Sequence, residues 1–221
     1  MAQTFVKGEP VPGGLLDPAM GPVAQEANVV CKSCHSHIGE CVGHPGHIEL
    51  AKPMYHIGFL PHILVILRCI CFKCSRLLIE NDRDKIAKIM QEPDGKKRRD
   101  LLYSIASKKT SCVASDPGKD GAGEFGGCGY HQPKYTKLAT GIKVTYNGKN
   151  LDEQQSKVEE LSAEQVHKIF KAITDETSKV LGMDPKHARP DWMILTVLPV
   201  PPPPVRPSIE MNSTSRGEDD L

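Results

Sequence analysis

The apolar positions along the chain change their period several times. Phe59 to Leu67 (F-L-P-H-I-L-V-I-L) is a nearly continuous apolar run with Pro61 close to its start. Proline suits the first turn of a helix, so this run predicts a buried helix rather than a strand. Asp82 offers an N-cap ahead of Ile86, Ile89 and Met90, which recur at helical spacing. Pro93-Asp94-Gly95 breaks that pattern, and Leu101, Leu102 and Ile105 predict another helix beyond it. Ile142, Val144 and Tyr146 alternate with polar residues before Asn147-Gly148, the signature of a strand entering a hairpin turn. Ser162 and Gln165 form a capping-box pattern ahead of the stripe Val166, Ile169, Phe170 and Ile173, and Leu181-Gly182 supplies a stop. Core packing explains that stripe better than a cofactor box does, and His167 beside it reads as structural. Trp192 to Leu198 (W-M-I-L-T-V-L) predicts a buried strand.

That strand runs into Pro199 to Pro207, where four consecutive prolines can neither donate to a sheet nor continue a helix. The segment reads as a stiff polyproline II rod, a spacer that holds the next stretch of chain at a fixed distance. The first thirty residues are rich in Pro and Gly and read as an extended lead-in with turns. Ser115 to Gly127 reads as a mobile loop, Asp152 to Glu164 as a solvated acidic linker, and Ser208 to Leu221 as a flexible polar tail.

Composition changes this picture in one respect. Of the 221 residues, 39% are apolar but only 5% aromatic, with 19 Gly and 18 Pro, so the core is modest and staples would help. Eight cysteines offer them. No apolar leader follows Met1, and the longest apolar run, Ile63 to Leu67, is far too short to span a bilayer. The sequence therefore reads as intracellular, where paired cysteines favour metal over disulfides. Formal charge is +1, so a global field does not announce a nucleic-acid binder.

Cys31-x2-Cys34-x6-Cys41-x2-His44 gives two close pairs on a short loop, the way one chain wraps a tetrahedral zinc ion. Gly39, Gly43 and Gly46 fit turns that need positive φ. Cys71-x2-Cys74 forms a second knuckle, which needs two partners, and only Cys69, Cys112 and Cys128 remain. Cys69 paired with Cys74 would make a looser turn, so Cys69 reads as a small buried apolar residue. A zinc held by Cys71, Cys74, Cys112 and Cys128 is expected, with His131 the alternative ligand. Between these pairs, residues 83 to 109 carry nine basic and four acidic side chains, densest at Lys96, Lys97, Arg98 and Arg99. Such a run is usually a solvated face; a phosphate-facing role is the sharper reading.

Four segments carry a resemblance: E-C-V-G-H-P-G-H-I-E-L-A-K-P-M-Y-H-I-G-F-L (Glu40 to Leu60), C-I-C-F-K-C (Cys69 to Cys74), G-G-C-G (Gly126 to Gly129), and R-P-D-W-M-I-L-T-V-L-P-V-P-P-P-P-V-R-P-S (Arg189 to Ser208). Together they resemble the N-terminal clamp region of the largest subunit of eukaryotic DNA-directed RNA polymerase II. The likeness covers nearly the whole chain, in that family's order from Gly13-Gly14-Leu15 to the closing G-E-D-D-L. Val42 and Pro45 depart from it, standing where Pro and Phe are expected; no ligand is lost.

The resemblance implies an α+β fold, an irregular zinc-stapled clamp core with short helices, small antiparallel sheets and long loops. Its expected divisions are a lead-in over 1–30, the clamp core with both zinc sites over 31–198, a proline-rich rod over 199–207, and a lid-like loop over 208–221. It implies one zinc on Cys31, Cys34, Cys41 and His44, choosing His44 over His47, and another on Cys71, Cys74, Cys112 and Cys128. Pro207, Ser208, Ile209, Glu210, Met211, Asn212, Ser213, Thr214, Ser215, Arg216, Gly217, Glu218 and Asp219 correspond to the lid, which helps part nascent RNA from the template.

The implied role is mechanical and electrostatic: a clamp that closes over template DNA and the RNA–DNA hybrid, in the nucleus, beside the other polymerase subunits and especially the second-largest. Arg206 and Arg216 would meet phosphates without reading sequence, as would Lys96, Lys97, Arg98 and Arg99. Nucleotidyl transfer uses two metal ions on an acidic cluster, and this chain has no Asp-x-Asp-x-Asp pattern. The chain alone is therefore expected to be inactive, with Mg2+ bound elsewhere in the complete enzyme and no membrane partner. Two other readings compete. One is a free-standing zinc-stapled nucleic-acid or protein adaptor, against which the ending at Asp219-Asp220-Leu221, just past a positioning rod, looks cut short. The other is a zinc hydrolase, which needs an open coordination position.

Overall fold

In the computed structural model the apolar run forms α1, Leu60–Leu67, with Pro61 in its first turn. Leu60, Ile63, Leu64, Ile66 and Leu67 are all buried. Five such side chains at roughly 1.5–3 kcal/mol each contribute on the order of 10 kcal/mol, so α1 is the element on which its neighbours pack. The structure describes residues 5–6, 9–22, 30–112, 127–146, 157–207, 209–212 and 215–217. Mixed short helices and small antiparallel sheets make it an α+β fold.

Two helices follow α1, and each starts where an aspartate caps it. Asp82 accepts from the Lys85 N–H to open α2, Arg83–Met90. Asp94 accepts from the Lys96 and Lys97 N–H groups to open α3, Gly95–Ala106. The basic run thus forms the first turns of α3 rather than a loop before it. Ile89, Leu102 and Ala106 point into the core, whereas Met90 and Leu101 are exposed. Arg68, just past α1, donates to the Tyr103 hydroxyl and to the Tyr135 carbonyl, each at 2.9 Å.

A three-stranded antiparallel sheet covers this core, in the order β4 (Lys134–Lys137), β5 (Ile142–Thr145), β6 (Val158–Leu161). Its register sets Tyr135 opposite Val144 and Ile142 opposite Leu161, all four buried. The acidic stretch expected as a linker therefore supplies an edge strand. Leu161 anchors it beside Ile142 while Val158, Glu159 and Glu160 stay exposed, which an edge tolerates. The expected turn at Asn147-Gly148 and, apart from Gly127, the expected loop from Ser115 to Gly127 lie outside the described residues.

The stripe beyond Ser162 is divided in two. The capping box at Ser162 and Gln165 opens α4, Ala163–Lys171, as expected. Thr174 then accepts from the Thr177 N–H and starts α5, Asp175–Val180, because its hydroxyl offers the backbone a cap in place of continued helix. Val166, Phe170 and Ile173 are buried, and Gly182 ends the pair at φ +73. Backbones approach closely there: a Cβ on Gly95 would lie 2.4 Å from the Gly182 carbonyl oxygen.

Trp192 to Leu198 differs from expectation. Pro190–Met193 is a 3-10 turn, and Trp192 is 54% exposed. The strand itself, β7 (Ile194–Val200), pairs with β3 (Gly46–Tyr55) in a two-stranded ribbon, with only Ile194 and Val200 buried. The proline run is not one straight rod either. Pro202 is extended, at φ −68 and ψ 158, but Pro203–Val205 turns as a 3-10 helix closed by the Val205 and Arg206 N–H groups. Proline fixes φ near −65°, a value that both conformations share, and ψ is free to choose between them. Beyond it, β8 (Ile209–Asn212) and β9 (Ser215–Gly217) form an antiparallel hairpin with an irregularity between Glu210 and Asn212. At the other terminus β1 (Phe5–Val6) pairs with β2 (Glu9–Pro10).

The chain packs as two compact units, Met1–Leu50 with Val197–Leu221, and Ala51–Thr196. One cysteine cluster falls in each. Among the described residues no helix is long and apolar enough to cross a membrane.

Candidate metal centres

Two ten-residue stretches share one backbone plan. Cys31 donates its N–H to the Ser36 carbonyl at 3.0 Å and accepts from the His35 N–H at 2.9 Å. Cys71 donates to the Arg76 carbonyl at 2.8 Å and accepts from the Ser75 N–H at 3.0 Å. Isolated bridges close both turns, Val30 with His37 and Ile70 with Leu77. The fifth residue of each turn is left-handed, His35 at φ 60 and Ser75 at φ 59. That conformation aims both sulfurs of a C-x2-C pair at one point.

From there the centres diverge. In the first, the His37 carbonyl accepts from the Cys41 N–H at 3.1 Å, bringing the chain straight back. The Met20 carbonyl holds the His44 N–H at 2.9 Å, and Gly43 turns at φ +86 between the two ligands. In the second centre Asn81 occupies the place equivalent to Cys41, and the remaining ligands come from distant segments. Cys112 donates its N–H to the Tyr130 carbonyl at 2.9 Å, and Gln132 donates to the Thr110 carbonyl at 2.8 Å. This short ladder carries Cys112 and Cys128 to the knuckle.

The result is two sets of four ligand atoms, Cys31, Cys34, Cys41 and His44, and Cys71, Cys74, Cys112 and Cys128, each set lying within 4.8 Å of one another. Cys34 and Cys41 sulfurs are 3.5 Å apart, and the Cys41 sulfur is 3.7 Å from His44 Nε2. In the second set Cys71 to Cys128 is 3.5 Å and Cys74 to Cys112 is 3.8 Å. A tetrahedral ion with ligands at about 2.3 Å has edges of about 3.8 Å. The chain therefore holds donor sets of the right size and kind for a divalent metal, three sulfurs with one nitrogen and four sulfurs.

Electrostatics point the same way. The hydrogen bond with His44, then contacts with Ser36, pull the Cys34 thiol down to about 6. At Cys71, burial acts to raise the thiol, but N–H groups of Cys74 and Lys73 and the Gln132 amide outweigh it and hold the thiol below its ordinary range. Burial first, and neighbouring sulfurs after it, push Cys112 and Cys128 up. The second cluster thus sets one thiolate-ready sulfur, Cys71, beside two that resist a further negative charge, a conflict that a cation relieves.

The remaining candidates separate clearly. Cys69 is fully buried, its thiol pushed up to about 12 by burial, and it stands outside the four-sulfur set. His47 is exposed on β3, and His131 bridges Ser111 rather than joining the sulfurs. Arg98 donates to the Glu92 carbonyl at 3.0 and 2.7 Å and to the Lys179 carbonyl at 2.9 Å. Arg206 donates to the Pro201 carbonyl at 2.8 Å and to that of Leu15. Both guanidinium groups are engaged in holding the backbone, whereas Lys96 and Lys97 are exposed. Of the lid segment, Ser208, Ser213, Thr214, Glu218 and Asp219 lie outside the described residues, and Arg216 falls on β9. Sequence reasoning missed Gln132, which contacts Cys71 from 61 positions away. No motif marks it, since its role depends on the pairing of residues 110–112 with 130–132.

One comparison bears on what such centres serve. The family model for RNA polymerase Rpb1, domain 1, matches residues 1–221.

Proposed function

From a chain that belongs to the family of RNA polymerase Rpb1, domain 1, and so forms part of the largest subunit of a DNA-directed RNA polymerase, we propose a clamp stapled by two structural zinc ions. In this reading the chain is the N-terminal clamp region of a eukaryotic RNA polymerase II in the nucleus, closing over template DNA and the RNA–DNA hybrid. The observation that carries it is the pair of closed four-ligand sets. Soft sulfur donors with one imidazole suit Zn2+, and four protein ligands leave no position for a substrate water, which favours a staple over hydrolysis. Zinc would give each unit rigidity that few aromatic residues could supply, since structural sites contribute about 10 kcal/mol or more to folding.

The nucleotidyl transfer of the assembly is assigned to acidic residues elsewhere, with Mg2+ bound there. This chain's own contribution is positioning. The turn at Pro203–Val205 and the hairpin beyond it support a lid at the chain's C-terminal end, Pro207 to Asp219. Gly43 lies against Pro202 and Pro204, so the first metal loop braces the proline turn that precedes that hairpin in sequence. Lys96 and Lys97 at the start of α3 remain the candidates for phosphate, acting through charge rather than base edges.

A photo-crosslinking residue placed at Met211 or at Lys96, in the assembled polymerase with a bound hybrid, tests this. Crosslinks from Met211 to RNA near its separation from the template, and salt-sensitive crosslinks from Lys96 to DNA, are expected. Crosslinks from neither position would refute the clamp and lid assignments.

A further inference from the structure

The two centres differ in the chain length that each must close. Six residues separate Cys34 from Cys41, whereas 37 separate Cys74 from Cys112 and 15 separate Cys112 from Cys128. Longer loops cost more conformational entropy to close, so a metal assembling the second centre unaided does more work than one assembling the first.

A single side chain spans that gap. Gln132 is 8% exposed. Its Oε1 accepts from the Phe72 N–H at 2.9 Å, and its Nε2 donates to the Tyr130 carbonyl at 2.9 Å and to the Cys71 sulfur at 3.3 Å. Its own N–H reaches the Thr110 carbonyl at 2.8 Å. Through these bonds one residue touches the knuckle, the segment that brings Cys112, and the segment that brings Cys128. Rotating the amide by half a turn would set N–H against N–H at Phe72 and oxygen against oxygen at Tyr130, so its orientation is determined.

Charge gives the contact with sulfur a further use. Four thiolates on a divalent ion carry a net charge of about −2, against about −1 for three thiolates and an imidazole, so the second centre gains more from N–H donors at sulfur. In the first centre the Cys31 sulfur meets the Ser33 N–H at 3.4 Å and the Cys34 sulfur meets Ser36, neighbours within the knuckle itself rather than a residue from a distant segment.

We propose that Gln132 is the positioning residue of the second centre: it fixes the Cys71 sulfur and joins the knuckle to both distant ligands, so that this centre takes up metal as a preformed site. The inference rests on reading the four-sulfur cluster as a metal centre.

The full chain carries its own reference, because the first centre lacks this residue. Cobalt and zinc binding are titrated against a chromophoric chelator in the parent chain and in Gln132→Met and Gln132→Glu. A Cys71→Ser chain, in which only the first centre can load, identifies that centre's signal. Gln132→Met removes the donor; Gln132→Glu keeps an acceptor for the Phe72 N–H but offers the thiolate a carboxylate. Both are expected to weaken metal binding at the second centre by about 10–100-fold, to shift its cobalt–thiolate charge-transfer band, and to leave the first centre unchanged. Equal weakening at both centres, or parent-like binding and spectrum in Gln132→Glu, would overturn the proposal. A parent chain with no second cobalt–thiolate signal would instead overturn the underlying metal reading.

Discussion

Gly43 offers a direct way to ask whether the first metal loop braces the proline turn. It sits at φ +86 between two ligands, and a Cβ there would lie 2.6 Å from Pro202 Cβ, 3.0 Å from Pro202 Cγ and 3.1 Å from Pro204 Cδ. Proline rings have no rotamer to retreat into, so either the loop or the turn must shift. Gly39 is the matched control: it lies at φ +93 in the same loop, with nothing within 4 Å of an added Cβ. Gly39→Ala therefore costs only the left-handed backbone, about 1 kcal/mol. Gly43→Ala costs that plus overpacking of about 1–3 kcal/mol, for a total of about 2–4 kcal/mol. The difference corresponds to roughly 5- to 150-fold weaker zinc retention at the first centre, since about 1.4 kcal/mol is tenfold. Chelator competition measures it, and hydrogen exchange across residues 41–46 and 201–206 shows whether both sides loosen together. Equal effects of the two alanines would refute the brace.

Three further outcomes are expected. Cys112→Ala should lose one metal equivalent while Cys69→Ala keeps both, read by elemental analysis; because burial raises the Cys69 thiol to about 12, its contribution to stability is complete below the unfolded value near 9 and declines as pH rises from there towards 12, a slope that Cys69→Ala should flatten in denaturation measured across that window. Arg98→Ala, which strips three hydrogen bonds from the Glu92 and Lys179 carbonyls, should destabilise the unit by about 1–3 kcal/mol in urea, against about 0.5 kcal/mol or less for Lys97→Ala. His35→Gly relieves a left-handed residue in the first knuckle and should stabilise it by about 1 kcal/mol, seen as slower zinc loss; faster loss would contradict the turn geometry.

Local signals in this sequence are strong where the physics is local. Asp82 and Ser162 cap the helices that they announce, α1 forms on its apolar run, and the x2 spacings bring cysteine pairs onto tight turns. Spacing plus elimination narrowed the partners of the Cys71–Cys74 knuckle but left His131 as an alternative; the structure brings Cys71, Cys74, Cys112 and Cys128 together. What stayed hidden depends on tertiary neighbours. Val158–Leu161 looks acidic and solvated until Leu161 is set opposite Ile142, and Trp192 looks buried until its turn faces outward. The bend at Pro203–Val205 shares its φ values with a straight rod, so composition could not separate the two. Gln132 was invisible for the same reason as the ladder that places it.

If each unit is closed around one metal ion by four protein ligands, both the stoichiometry and the coordination shells are fixed in advance. Elemental analysis combined with zinc X-ray absorption on reduced, natively folded chain reads the two together. Two zinc ions per chain are predicted, one bound by three sulfurs and a nitrogen and the other by four sulfurs, with no oxygen ligand. Fewer than two equivalents, or a water in either coordination shell, would contradict that closure.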